Sequence, residues 1–154
     1  CSFSEAPQFD MLFVPGGIGT RTEINNQTLL DWLRVQSQHT QYLTSVCTGS
    51  ALLARAGLLD GMRATTNKLA FDWVASQSSR VNWQRQARWV EDGNVFTSSG
   101  VSAGIDMSLA VIARLVDQDT AEQTATWAEY DWHRDADWDP FAKLQGMPEA
   151  LSSC

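Results

Sequence analysis

The run Ser45-Val46-Cys47-Thr48-Gly49 carries the clearest chemistry in the chain. A β-prone stretch, Tyr42 to Val46, ends at Cys47, and Ala51, Leu52, Leu53, Ala54 and Ala56 follow with the character of a buried helix. A strand that passes straight into a helix through one residue forces that residue into a strained turn. The residues two before and two after must then be small, because larger side chains would collide there. Ser45 and Gly49 meet the requirement, making this the cysteine counterpart of the nucleophile elbow of α/β hydrolases. Such a turn presents its residue at the carboxyl edge of a sheet, where open α/β sheets bind ligands. It also lies beside a helix start, whose dipole and free N–H groups favour an anion. Two readings stay open on the pattern alone: a reactive Cys47, or a buried structural cysteine.

Two segments of small residues are candidates to surround it. Pro15-Gly16-Gly17-Ile18-Gly19 follows the apolar run Met11 to Val14. Its glycines either let backbone N–H groups approach a ligand or an oxyanion, or simply make a tight turn. A dinucleotide fingerprint is disfavoured, because Thr22 stands where the third glycine belongs and the helix of Gln27 to Gln38 begins too late. Ser98 to Asp106 is the second segment. Gly100, Val101 and Ser102 there form either a wall of the same pocket or a close helix–strand contact, with Asp106 stabilising the helix start. His133 is a candidate partner for Cys47 in a Cys–His pair, weighed against an ordinary surface histidine among acidic neighbours; His39 reads as solvent-facing. No metal is expected, since there is no Cys-x-x-Cys and the two histidines are far apart. The three cysteines, Cys1, Cys47 and Cys154, form no regular framework and fit a reducing cytoplasm; a Cys1–Cys154 bridge is the one conceivable pairing.

The elements that must hold these residues follow from periodicity. Met11–Val14 and Tyr42–Val46 read as short buried strands, and Leu29, Leu30 and Leu33 as one face of the first helix. Gly57 stops the helix after Cys47, Asp60-Gly61 makes a turn, and Asn67 caps a helix through Trp73 and Val74. Arg88–Val90 and Val95–Thr97 read as a hairpin with Asp92-Gly93 at its tip. Ser102 caps the next helix, whose apolar face is expected to be Ile105, Leu109, Ile112, Ala113 and Val116. Asp119 and Glu122 have capping-box spacing for a last helix toward Tyr130. Residues 131–154 read as an irregular acidic tail, in which Trp132 and Trp138, with Trp127 before them, cover core surface or a dimer contact. Short apolar strands alternating with helices predict a single α/β domain over residues 1–154 with a mostly parallel sheet and one hairpin.

Composition narrows the partners. The chain has 154 residues with 11 Lys plus Arg against 18 Asp plus Glu, a formal net charge of −7. A pI near 4.6 makes it a poor partner for phosphate backbones and anionic membranes, so a small-molecule substrate is expected rather than nucleic acid or membrane. The apolar share of 44% suits a water-soluble globular protein, and no apolar run is long enough to cross a bilayer.

Four motifs in order resemble the DJ-1/PfpI family of the class I glutamine amidotransferase-like superfamily. They are Phe13-Val14-Pro15-Gly16-Gly17, Thr44 to Ser50, Ala56 to Thr66, and Ser99 to Asp106. The Cys-Thr-Gly version is similar to the isonitrile hydratase branch and to the amidase-like half of certain AraC-type regulators. The resemblance implies a flavodoxin-like three-layer α/β/α sandwich, usually a homodimer, with no cofactor. It implies Cys47 as nucleophile, Thr48 as its support, the N–H groups of Gly17 and Thr48 as oxyanion donors, and Gly16, Gly17, Ile18 and Gly49 as the backbone pocket. The implied reaction is hydration of an isonitrile to an N-substituted formamide. Alternatives are a redox or stress-response protein with an oxidisable Cys47, or an inactive homologue. Family members carry a strand–helix portion before the Pro-Gly-Gly loop, with an acidic residue that serves the cysteine. The chain is expected to lack that portion. Glu5 and Asp10 are the only acidic residues upstream of the loop, and neither has the matching context.

Overall fold

The computed structural model describes residues 2–144; Cys1 and Cys154, and so their conceivable bridge, lie outside the described residues. Strands β1 (Met11–Val14), β2 (Tyr42–Val46), β5 (Trp89–Asp92) and β6 (Val95–Ser98) form one sheet in the order β1-β2-β6-β5. The β1–β2 and β2–β6 pairs are parallel, and β5 joins β6 as the antiparallel hairpin. Two short strands unforeseen in the sequence, β3 (Arg63–Ala64) and β4 (Asn82–Trp83), pair in parallel beside it. The helices are α1 (Thr20–Glu23), α2 (Gln27–Ser37), α3 (Gly49–Arg55), α4 (Phe71–Ala75), α5 (Val101–Leu115) and α6 (Gln118–Trp127).

Strand alternation divides the core into two layers. Leu12 and Val14 of β1, Leu43 of β2 and Val95 of β6 point to one face, where they pack with Leu33 of α2 and Leu52 and Leu53 of α3. Met11, Tyr42, Val46 and Phe96 point to the other, against Met107 and Val111 of α5. Helices thus cover both sides of the sheet, which is the three-layer arrangement expected. α6 packs on α5 rather than on the sheet.

The structure corrects the sequence reading at several ends and faces. The hairpin tip is Gly93-Asn94, because Asp92 still pairs with Val95, and Gly93 supplies the positive φ of 61° that such a turn favours at its first position. α6 is capped by Asp117, which accepts from Thr120 N at 2.7 Å, rather than by Asp119; that N–H bond holds the Asp117 carboxyl below its ordinary range. Gly100, not Ser102, is the cap residue of α5. Asn67 accepts from Ala70 N at 3.1 Å, but α4 starts only at Phe71. The buried face of α5 is Ala103, Asp106, Met107, Leu109 and Val111, whereas Ile105 is 43% exposed and Val116 65%. α5 is apolar almost all round, so two stripes at helical spacing compete, and the sheet selects the one that meets Phe96 and Trp89.

A buried ion pair fastens the tail. Asp106 is fully buried, and its Oδ2 receives Arg88 Nε at 2.7 Å and an Arg88 terminal nitrogen at 2.6 Å. Its Oδ1 accepts the His133 N–H at 2.9 Å, and Trp132 Nε1 donates to the Asp106 carbonyl at 3.2 Å. Asp106 sits in the second turn of α5 and anchors the tail, rather than stabilising the helix start as its sequence position suggested. Lys68 is likewise buried, donating to Ala87 O at 2.6 Å and Thr65 Oγ1 at 2.9 Å, with Asp139 at 4.0 Å. Burial pushes its ammonium down to about 8, and the attraction of Asp139 opposes the shift. Trp132 is half-buried in this contact, while Trp127 is 81% exposed and covers no core.

Candidate active site

Cys47 lies between β2 and α3 with φ at 57°, one of two non-glycine residues among those described with positive φ. That left-handed conformation costs an L-residue roughly 1–2 kcal/mol, so packing on both sides must impose it. Thr66 Oγ1 donates to the Cys47 carbonyl at 2.9 Å and Ser50 Oγ donates to it at 3.2 Å. The neighbours two residues away are small for the reason given by collision. A Cβ on Gly49 would stand 2.2 Å from the Val14 carbonyl oxygen and 2.8 Å from that of Pro15, and Ser45 is fully buried.

The thiol is half-buried and opens into a cavity of about 390 Å³. Phe13, Val46, Val101 and Ile105 give it an apolar wall; Gly16, Gly17, Gly104 and Ser108 complete it. Gly104 brings α5 close, since a Cβ there would stand 2.6 Å from a Val46 methyl carbon. Gly16 has a separate role. A Cβ at Gly16 would lie 2.5 Å from Thr48 N, 2.8 Å from Thr48 Oγ1 and 2.9 Å from Cys47 Cβ. Any side chain there would collide with all three, so only glycine lets the loop after β1 pack this closely against the Cys47 turn.

Of the residues singled out in the sequence, Cys47, Gly16, Gly17 and Val101 share this cavity. Thr48 is buried behind it, and Gly49 is buried under the β1 end. The Gly17 N–H differs from its assigned part as an oxyanion donor: it donates to Thr48 Oγ1 at 3.0 Å. Ile18 is 69% exposed and does not line the cavity. Gly100 stands beside Asn67, whose Nδ2 would be 3.8 Å from a Cβ at Gly100. Ser102 is exposed and contacts Arg88 and Tyr130 instead. His133 does not line this cavity: its backbone N–H donates to Asp106, its ring is 5.7 Å from that of Trp138, and its buried Nε2 has no partner among the described residues. No carboxylate or imidazole lines the Cys47 cavity among the described residues. Glu5 binds Ser2, and Asp10 accepts from Gln41. Sequence reasoning missed Phe13 and Ile105 as parts of the cavity wall. The signal for Phe13 was present in the two-residue alternation of β1, which sends it to the face opposite Leu12 and Val14.

The model of the DJ-1/PfpI family matches residues 1–114. The chain belongs to the DJ-1/PfpI family. Isonitrile hydratase of Pseudomonas putida is 40% identical over 129 residues, 84% of this chain and 55% of its own length. The HTH-type transcriptional regulator GbdR of Pseudomonas aeruginosa is 36% identical over 109 residues, 71% of this chain and 29% of its own. A THiJ/PfpI family protein from Pseudomonas syringae superposes with a TM-score of 0.74 at 36% identity, over 84% of this chain and 53% of that one. The DJ-1/PfpI chain described here therefore spans about half the length of the isonitrile hydratase it matches. Among the described residues, no helix is long and apolar enough to cross a membrane, and no group of three or more His, Cys, Asp or Glu is placed to hold a metal ion.

Proposed function

We propose that this chain carries the nucleophile half of an isonitrile hydratase-like site, acting on a small carbon–nitrogen substrate with an apolar substituent. The observation that carries the reading is the strained Cys47 turn opening into an apolar cavity, with Gly16 packed against Cys47 and Thr48 at its edge. The 40% identity to an isonitrile hydratase supports it. The Cys47 sulfur attacks the terminal carbon of the isonitrile, and a proton adds to that carbon to give a thioimidate. Water then adds to the same carbon. The Thr48 N–H stabilises the oxygen as charge develops there, the nitrogen gains a proton, and the C–S bond breaks to release an N-substituted formamide and the thiol. Phe13, Val101 and Ile105 receive the hydrocarbon substituent. Among the described residues no carboxylate or imidazole lines the cavity to carry the proton. The chain acts as a cytoplasmic homodimer in this reading.

That same feature favours a second reading, in which Cys47 is an oxidisable thiol. Each of two peroxide molecules gives one oxygen to sulfur and leaves as water, taking the thiolate to the sulfinate. One pair of measurements separates them. Formamide release from cyclohexyl isocyanide is followed for the wild type and Cys47→Ser, on this chain and on a polypeptide of the relatives' full length. Activity that needs Cys47 supports the first reading, and activity that survives Cys47→Ser rejects it. A gain of two oxygens at Cys47 under mild peroxide, without formamide release from either polypeptide, supports the second.

A further inference from the structure

The glycine loop after β1 is held by a closed group of hydrogen bonds, and counting hydrogens fixes what each member can do. The Gly17 N–H can only donate, and Thr48 Oγ1 receives it at 3.0 Å. The Gly17 carbonyl can only accept, with Thr20 Oγ1 at 2.7 Å and Thr48 Oγ1 at 3.2 Å. The two hydroxyl oxygens are 3.0 Å apart, close enough for the hydrogen of one to bridge them. If Thr20 gives its hydrogen to Gly17 O, the bridging hydrogen is that of Thr48. If Thr20 gives its hydrogen to Thr48, the Thr48 hydrogen goes to Gly17 O. In both arrangements the Thr48 hydroxyl hydrogen stays within the group, and the Gly17 N–H with it. Thr20 is 6% exposed and Thr48 is 8%, so water does not replace either partner cheaply. Such chains of hydroxyls polarise one another and resist piecemeal loss.

We propose that Thr20 is a positioning residue: its hydroxyl keeps Thr48 Oγ1 and the Gly17 N–H engaged with each other. This locks the glycine loop beside Cys47 and leaves the backbone N–H of Thr48 as the group that meets the substrate. Thr20 lies on α1, outside the cavity and away from the reacting atoms, and acts through Thr48. Its role in turnover rests on the hydratase reading; its role as a brace does not.

The test compares Thr20→Val, which keeps the shape and removes the hydroxyl, with Thr20→Ser, which restores it. The Gly17 amide exchange rate is read by NMR on this chain, together with kcat and KM for cyclohexyl isocyanide. In Thr20→Val the Gly17 amide exchanges about tenfold faster, as loss of about one hydrogen bond implies, and kcat falls about tenfold with KM within about twofold. Thr20→Ser returns both to within about threefold of wild type. Thr48→Val raises Gly17 exchange similarly, and the double variant is no worse than either single one, because all break the same group. Unchanged Gly17 exchange in both Thr20→Val and Thr48→Val overturns the proposal. So does a Thr20→Val effect confined to KM, or one that Thr20→Ser fails to rescue. Faster Gly17 exchange with no formamide released by the wild type upholds the brace and rejects the hydratase reading instead.

Discussion

Replacing Arg88 by Met should cost this fold more than removing both Arg88 and its partner. Asp106 is 0% exposed and takes two Arg88 nitrogens at 2.6 and 2.7 Å on one oxygen. Without Arg88 the carboxylate keeps the His133 N–H at 2.9 Å and has no counter-charge of its own. Breaking a buried pair from one side costs about 3–5 kcal/mol. Asp106→Leu alone strands Arg88, 8% exposed, with Asp139 4.0 Å away, and should cost a similar amount. The double variant Arg88→Met with Asp106→Leu removes both charges, and the penalty shrinks to the unmet His133 N–H, about 1–3 kcal/mol. Urea unfolding followed by far-UV circular dichroism measures all three. With a slope of about 2 kcal/mol per molar, a single variant loses about 2 M in midpoint and the double about 1 M. If the two single losses simply add in the double variant, or if each is below about 1 kcal/mol, the reasoning about buried charge is wrong.

Gly16→Ala places a methyl carbon 2.5 Å from Thr48 N and 2.9 Å from Cys47 Cβ, so the loop or the turn must shift. Formamide release should fall about a hundredfold as the glycine loop is pushed off the Cys47 turn, while the unfolding midpoint drops by the equivalent of about 1–3 kcal/mol. Cys47→Gly removes the side chain that φ 57° disfavours, so stability should rise by about 1 kcal/mol while every thiol reaction is lost; a lower midpoint would contradict the strain argument. Lys68 titrates at about 8 in the fold and at about 10.4 unfolded, so between those values the unfolded chain holds more protons and stability should climb with pH. Urea midpoints taken from pH 8 to 10 should show that climb in the wild type and a flat profile in Lys68→Met.

What the sequence made legible was whatever short-range sterics dictate. The Cys47 turn was readable because Ser45 and Gly49 are small for one local reason, and β1 and β2 because short β-prone runs end at Pro15-Gly16 and at Cys47. The cap of α6 was readable in kind but misplaced, since Asp117 and Asp119 are both able caps and only packing chooses. The orientation of α5 was not readable, because both of its stripes are apolar and the deciding partner, Phe96, sits on a strand. Asp106 misled for a related reason: an acidic residue near a helix start has a local explanation, whereas its true partner, Arg88, is 18 residues earlier and reaches it only in the fold. The Gly17 N–H was readable as a free donor until Thr48, 31 residues on, met it. The apolar wall of the cavity is likewise assembled from β1, β2 and α5 and belongs to no single motif.

The α5 stripe that the sheet did not choose has a colloidal consequence. Phe13 on the outer strand is 51% exposed, and together with Ile112 and Val116 it lines a second apolar hollow of about 280 Å³ running along α5 beside the Cys47 cavity. Water wets this surface poorly, and the net charge of −7 opposes the approach of further copies to it. The repulsion reaches about 10 Å at 0.1 M salt and about 3 Å at 1 M, while apolar attraction does not weaken with salt. Sticking between molecules therefore grows with ionic strength, opposite to the behaviour of a contact made by charges.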